Sequence, residues 1–214
     1  MTNDRSDEIS VAGEAARKVL EEKHLAREIT LNASRRAIRA CASAIRAVQR
    51  REFYPARELI AEAAAFLAEA DAALEGHPDV RYSGSLRDAK KEFAEANLTL
   101  AFVSGHPLPT AEELGVDVQP YLNGMAEAAS ELRRQVLDCL RRDEGAEAER
   151  LLALMDEVYG LLITIDYPDA LTGGLRRTTD ALRAVLERTR GDVTTAIIAT
   201  RLQAAVERRT PAAD

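Results

Sequence analysis

Leu31-Asn-Ala-Ser-Arg-Arg-Ala-Ile-Arg-Ala-Cys-Ala-Ser-Ala-Ile-Arg-Ala-Val48 is the stretch that decides the class of fold. Leu31, Ile38 and Ile45 recur every seven residues, and Ser34, Cys41 and Val48 are interleaved at the same interval. Stripes at this spacing lie side by side on an α-helix, whereas a half-buried strand would alternate with period two. The pattern is a packing seam. No proline or glycine interrupts the stretch, and the helix is predicted to run well past it, over about residues 7–50.

The same period continues downstream. Phe53, Ile60, Leu67 and Leu74 predict a second helix over about 53–74, which Gly76-His-Pro78 ends. Leu86, Phe93 and Leu100 predict a third over about 83–104. Gly105-His-Pro-Leu-Pro109 breaks the chain, and Thr110-Ala-Glu-Glu113 reads as a capping box that opens a short helical turn up to Leu114. Further helices are predicted over about 120–142, 146–165, 170–189 (with an interruption near Gly173-Gly174) and, after a cap at Gly191-Asp192, 193–208. Aromatic residues are only 4% of the chain and Trp is absent, so strand signals are missing almost everywhere. No Ser/Gly-rich linker divides the sequence. Residues 1–214 read as one all-α, seven-helix bundle with tails at about 1–8 and 210–214.

Composition narrows the function. A hydrophobic content of 46% supports a sizeable core, and no run of about 18 apolar residues suits a membrane span. The polar, acidic start Met1-Thr-Asn-Asp-Arg-Ser-Asp-Glu8 is unlike a secretory signal. Cys41 and Cys139 sit in helical patterns with neither disulfide nor zinc spacing, so a reducing cytoplasm is expected. A net charge of −7 argues against a uniformly basic nucleic-acid coat. Yet of 29 basic residues only Lys18, Lys23, Lys90 and Lys91 are lysine. Arginine forks match phosphate geometry, which leaves room for local phosphate sites. With three scattered histidines, no P-loop, no G-x-G-x-x-G, no H-E-x-x-H and no G-x-S-x-G, the common nucleotide, zinc-protease and serine-hydrolase motifs are absent.

What remains is carboxylate chemistry. Glu92 and Glu95 are spaced i,i+3 and share one helix face; Glu127 and Glu131 are spaced i,i+4, and Arg134 and Asp138 continue their face. Four carboxylates from two helices suit a hard divalent cation, Mg²⁺ or Mn²⁺ in its place, that supports phosphodiester hydrolysis. Such pairs are also common on solvated faces, where they form ordinary ion pairs. Arg81 and Arg87 at the start of the third helix, with Lys90 and Lys91 one turn on, are the candidate nucleic-acid contacts. Arg35, Arg36, Arg39, Arg46, Arg50 and Arg51 form a second basic strip.

The stretch Asp166-Tyr-Pro-Asp-Ala-Leu-Thr-Gly-Gly-Leu-Arg-Arg-Thr-Thr-Asp180, followed by Glu187-Arg-Thr-Arg-Gly-Asp192, resembles prokaryotic members of the translin family. Tyr121-Leu-Asn-Gly124, Glu131-Leu-Arg-Arg134 and Glu157-Val-Tyr159 are similar to the same family, and the resemblance spans about residues 29–206. It implies a seven-helix protein of the translin type that assembles into a hollow homo-octamer around nucleic acid. One branch of the family binds single-stranded RNA and DNA; the other supplies the catalytic subunit of a Mg²⁺-dependent endoribonuclease. Lys91-Glu-Phe-Ala-Glu-Ala96 resembles the Glu-aromatic-x-Glu-Ala segment of the catalytic branch, which assigns Glu92 and Glu95 to its metal site. Glu127 falls where that branch carries a catalytic aspartate, and Glu131 matches a further acid in a Gly-Glu-Leu motif, with Ser130 in place of the glycine. Arg81 and Arg87 match two arginines of the nucleic-acid-binding branch, separated here by Tyr82-Ser-Gly-Ser85 rather than histidines.

The expectation is therefore a single-stranded-RNA endonuclease using Mg²⁺ at Glu92, Glu95, Glu127 and Glu131. Its rivals are a non-catalytic octamer binding single-stranded RNA or DNA, in which the four acids pair with Arg133 or Arg134, and a helical scaffold whose charges serve solubility.

Overall fold

The computed structural model describes residues 3–77 and 84–207. Among them are eight helices and no strand: α1 (Asn3–Gln49), α2 (Phe53–Ala73), α3 (Gly84–Ser104), α4 (Ala111–Leu114), α5 (Val118–Arg141), α6 (Gly145–Leu162), α7 (Asp169–Thr172) and α8 (Leu175–Glu207). The all-α class expected from the periodicity is the observed one. No described helix is long and apolar enough to cross a membrane.

The α1 seam is built differently from its heptad of large residues. Ser34, Cys41 and Val48 are fully buried, as are Ala33, Ala37 and Ala44, whereas Leu31 and Ile38 stand at the edge of the contact. α1 packs on both α2 and α3. Small side chains at the centre of that double contact let three backbones approach, and the larger aliphatics fill the flanks. α2 answers with alternating small and large residues, Ala56, Ile60, Ala63, Leu67 and Ala70, all buried. α1 also starts at Asn3, so residues 3–8, expected as a tail, are helical; nothing before Gly13 breaks a helix.

α5 is the hub of the second half, packed on α3, α6 and α8. The capping box is present at α4: Glu113 donates its backbone N–H to Thr110 Oγ1, and the Glu113 carboxylate accepts from the Thr110 N–H. Gly173 and Gly174, at φ 61° and 83°, make the interruption expected there and separate α7 from α8. The cap expected at Gly191-Asp192 does not form, and α8 runs through it as one helix. Thr189 and Val193 on either side are buried. Arg133 of α5 donates to Thr189 Oγ1 and pairs with Asp192 at 2.8 Å. Glycine inside a helix costs about 1 kcal/mol; burial of Val193 alone offsets that, at roughly 1.5–3 kcal/mol.

Candidate metal centre

Glu92 and Glu95 reach the centre from α3 and Glu127 from α5. One carboxylate oxygen from each lies within 4.8 Å of the other two. The close approach of the two helices depends on Gly124. A β-carbon there would lie 2.7 Å from the Lys91 carbonyl oxygen, 2.9 Å from the Glu95 backbone nitrogen and 3.0 Å from Ala94 Cβ. The absent side chain thus lets α5 press on the turn of α3 that carries the acids.

The cluster is charged and poorly hydrated. Glu95 is buried, while Glu92 and Glu127 are partly exposed. Burial pushes the Glu95 carboxyl up to about 9, and the charges of Glu92, Glu127 and Glu131 add to the rise; Lys91 opposes it. The neighbouring Cys41 thiol is pushed up to about 12 by burial and then by Glu92 and Glu95, so it is an inert core thiol. Lys91 supplies the local positive charge. Its Nζ lies 2.5 Å from a Glu127 oxygen and 3.3 Å from a Glu92 oxygen. Burial alone would lower the Lys91 pKa, but the Glu127 hydrogen bond and the two carboxylate charges outweigh it and hold the ammonium above its usual range.

Glu131 stands one turn further along α5, outside the three-oxygen group. Its carboxylate accepts from Gln49 Nε2 at 2.5 Å. Gln135 in turn donates to the Gln49 backbone carbonyl, so the end of α1 is fastened to α5 at this level. Neither Arg133 nor Arg134 forms the expected pairs with the cluster among the described residues. Arg133 is turned to α8, and the cation at the acids is Lys91.

The basic candidates divide. Arg87 and Lys91 line a cavity of about 200 Å³ together with Glu127, Asn123 and Arg177. Lys90 does not. It is buried, and its ammonium pairs with Asp71 of α2 at 2.9 Å. Adjacent residues on a helix point about 100° apart, so Lys90 ties α3 to α2 while Lys91 faces α5. Arg81 lies outside the described residues. In the α1 strip, Arg36 pairs with Glu69 and covers the Phe66 ring at 3.9 Å, Arg50 pairs with Glu52, and Arg51 with Glu144. These three arginines tie the surface together.

Two further residues, Asn123 and Arg177, shape the site without belonging to an acid pair or to either basic strip. Arg177 reaches the cavity because Asn123 clamps the α7–α8 junction onto α5: its Nδ2 donates to the Thr172 carbonyl, and its Oδ1 accepts from Thr178, both at 2.8 Å. The resemblance quotes both Tyr121-Leu-Asn-Gly124 and Leu175-Arg-Arg-Thr-Thr179, and that co-occurrence is the available sequence signal.

The donor set fits a divalent cation. Oxygens bound to one Mg²⁺ at about 2.0–2.1 Å are separated by roughly 3–4 Å, so a spread within 4.8 Å needs a small contraction. A bound cation would expel the Glu95 proton. Divalent affinity is therefore expected to rise with pH toward about 9, with release of close to one proton at pH 7. Titration calorimetry of Mn²⁺ in two buffers of different ionisation heat measures this. The same shift sets stability. Because Glu95 titrates higher in the fold than in the unfolded chain, the metal-free fold holds the extra proton between about 4.5 and about 9, and stability falls as pH rises through that window. Glu95→Gln should flatten the loss and raise the melting temperature at pH 8 in EDTA by about 3 °C or more.

No family model matches the chain. An uncharacterized protein of Methanocaldococcus jannaschii is 34% identical over 117 residues, a match that spans 54% of this chain and 52% of that protein, about half the length of each. The crystal structure of AfC3PO superposes with a TM-score of 0.79 at 32% identity, covering 87% of this chain and 97% of that one. The complex of AfC3PO with duplex RNA gives the same score and identity, with 96% of that chain covered. The apo-NeC3PO structure, at 21% identity and a TM-score of 0.74 over 88% of this chain, shares the fold. With the residue pattern of Asp166–Asp192 and near-complete superposition on AfC3PO at 32% identity, the chain belongs to the translin family, beside the C3PO proteins.

Proposed function

We propose that this protein is an RNA-binding oligomer with a Mg²⁺-dependent endoribonuclease centre at Glu92, Glu95 and Glu127. The observation that carries the reading is the convergence of these three carboxylates beside a cavity lined by Arg87, Lys91 and Arg177. Glu92 and Glu127 supply ligand oxygens, and Glu95 holds its proton until a cation arrives. Glu131, oriented by Gln49, stands one turn further along α5 from Glu127. Arg87 and Arg177 hold the phosphates on one side of the acids. Arg134 and Arg141 line a separate groove with Glu131. When bound, a divalent cation acidifies a water nucleophile and stabilises charge developing on the phosphate.

The duplex RNA held by AfC3PO supports RNA as the polyanion and sets duplexes beside single strands as candidate substrates. Self-association is supported by exposed apolar residues: Ile9, Leu20 and Leu25 on α1, and Leu161, Ile163, Tyr167 and Leu171 around the α6–α7 connection. The family resemblance makes the homo-octamer the expected assembly. Single-stranded DNA remains the second candidate ligand. One observation favours the non-catalytic reading: the Lys91 ammonium already neutralises part of the cluster.

End-labelled single-stranded and duplex RNA, incubated with Mg²⁺ and with EDTA, separates the two readings. Cleavage in Mg²⁺ alone is expected; binding without cleavage in either condition leaves a non-catalytic RNA binder. Arg87→Ala with Arg177→Ala should weaken binding across sequences and lower the log–log salt slope by about 1.4 on single strands, roughly 0.7 for each lost phosphate contact.

A further inference from the structure

Lys91 is placed unlike a phosphate-binding lysine at rest. Its side chain is three-quarters buried, and its Nζ lies between Glu127 at 2.5 Å and Glu92 at 3.3 Å. Those are the two acids that the proposed centre uses as ligands from α5 and α3. Carboxylate oxygens that accept from an ammonium are the same oxygens that would bind a cation. One net charge of +1 and one of +2 compete for one place. The backbone fixes this arrangement. The Lys91 carbonyl is the atom nearest to where a Gly124 side chain would sit, so the Lys91 turn of α3 is pressed against α5.

We propose that Lys91 is an internal counter-ion of the acid cluster, which a divalent cation must displace before it can bind. The inference rests on the metal reading of the cluster and adds to it a built-in competitor. In the metal-free protein Lys91 relieves the repulsion between Glu92 and Glu127 and keeps the α3–α5 contact intact. On metal binding the ammonium swings off Glu127. The cavity that Lys91 shares with Arg87 and Arg177 gives it a place to go. A weakly loading centre follows, one that fills only when divalent cation is plentiful.

The test is Mn²⁺ binding to the full-length protein without RNA, by titration calorimetry, together with the melting-temperature rise that Mn²⁺ causes. Lys91→Met is expected to bind Mn²⁺ about tenfold more tightly than the parent, within the usual range of coupling between neighbouring sites. It should melt lower than the parent in EDTA and gain more on adding Mn²⁺. Lys91→Arg keeps the charge and should stay within about threefold of the parent; Lys91→Gln should follow Lys91→Met. A parent that binds Mn²⁺ as tightly as Lys91→Met and Lys91→Gln overturns the counter-ion role alone and leaves the metal centre standing. Absence of Mn²⁺ binding in the parent and in all three variants overturns the centre and the inference with it.

Discussion

Glu127→Gln is expected to slow RNA cleavage by at least about a hundredfold, the scale of losing one electrostatic stabiliser, while RNA binding holds or improves. The side chain keeps its size and its place on α5, so the helix packing is unchanged. What disappears is the charge that pairs with Lys91 at 2.5 Å and that the proposed centre would use as a ligand. Without that carboxylate the cluster would hold a divalent cation more weakly, and the cation's stabilisation of the phosphate would be lost with it. Release of Lys91 leaves an ammonium in the cavity beside Arg87 and Arg177, which favours a bound polyanion. Opposite movements of cleavage and binding would separate a catalytic acid from a structural one, because a structural loss would reduce both. Single-turnover cleavage and equilibrium binding in EDTA measure the two quantities. A variant that cleaves as fast as its parent returns Glu127 to the ordinary role of a helix-face ion pair.

Gly124→Ala should be nearly as damaging, although the added group is one methyl remote from any charge. Its β-carbon would meet backbone atoms of Lys91 and Glu95 at 2.7 and 2.9 Å. Backbone cannot step aside as a side-chain tip can, so the helices must separate by several tenths of an ångström or more. Overpacking of this kind costs about 1–3 kcal/mol, and the chain should remain folded. The displacement falls directly on the distance from Glu127 to Glu92 and Glu95. A misplacement on the scale of 1 Å costs on the order of a hundredfold in rate. Mn²⁺ affinity should drop along with cleavage, whereas RNA binding through the proposed Arg87 and Arg177 contacts should be largely retained. If Gly124→Ala binds Mn²⁺ and cleaves like its parent, the close approach of α3 and α5 is not what assembles the centre.

The fold was legible because it rests on a local signal. Phe53, Ile60, Leu67 and Leu74 repeat every seven residues, and Thr110 to Glu113 cap a turn by contacts three residues apart. Such patterns act within one helix. Where two helices share the outcome, the local reading failed. Gly191 looks like a helix end until Arg133 of α5 holds Asp192 and Thr189 beside it. Leu31 and Ile38 share the predicted seam with Ser34 and Cys41, and only the double contact of α1 leaves the two large residues at its edge while burying the small ones.

The site divides along the same line. The i,i+3 spacing put Glu92 and Glu95 on one face and the i,i+4 spacing singled out Glu127 with Glu131, while the resemblance aligned Glu127 with a catalytic acid. No spacing within α3 told Lys90 from Lys91; their fates were decided by Asp71 on α2 and Glu127 on α5. Gly124 carries no functional group to notice, and its importance lies in the backbone it admits. Arg177 is one arginine among many until Asn123 clamps the start of α8. Burial likewise set the Glu95 pKa, and burial is a property of the packed molecule.

In the proposed centre three carboxylates from α3 and α5 hold one divalent cation. Crystals soaked in Mn²⁺, with diffraction collected at the manganese absorption edge, test it directly. A single anomalous peak enclosed by Glu92, Glu95 and Glu127 is expected, with oxygen distances of roughly 2.1 Å and Lys91 Nζ moved away from Glu127. A well-ordered site with no anomalous peak, and Lys91 still bridging Glu92 and Glu127 at saturating Mn²⁺, would contradict it.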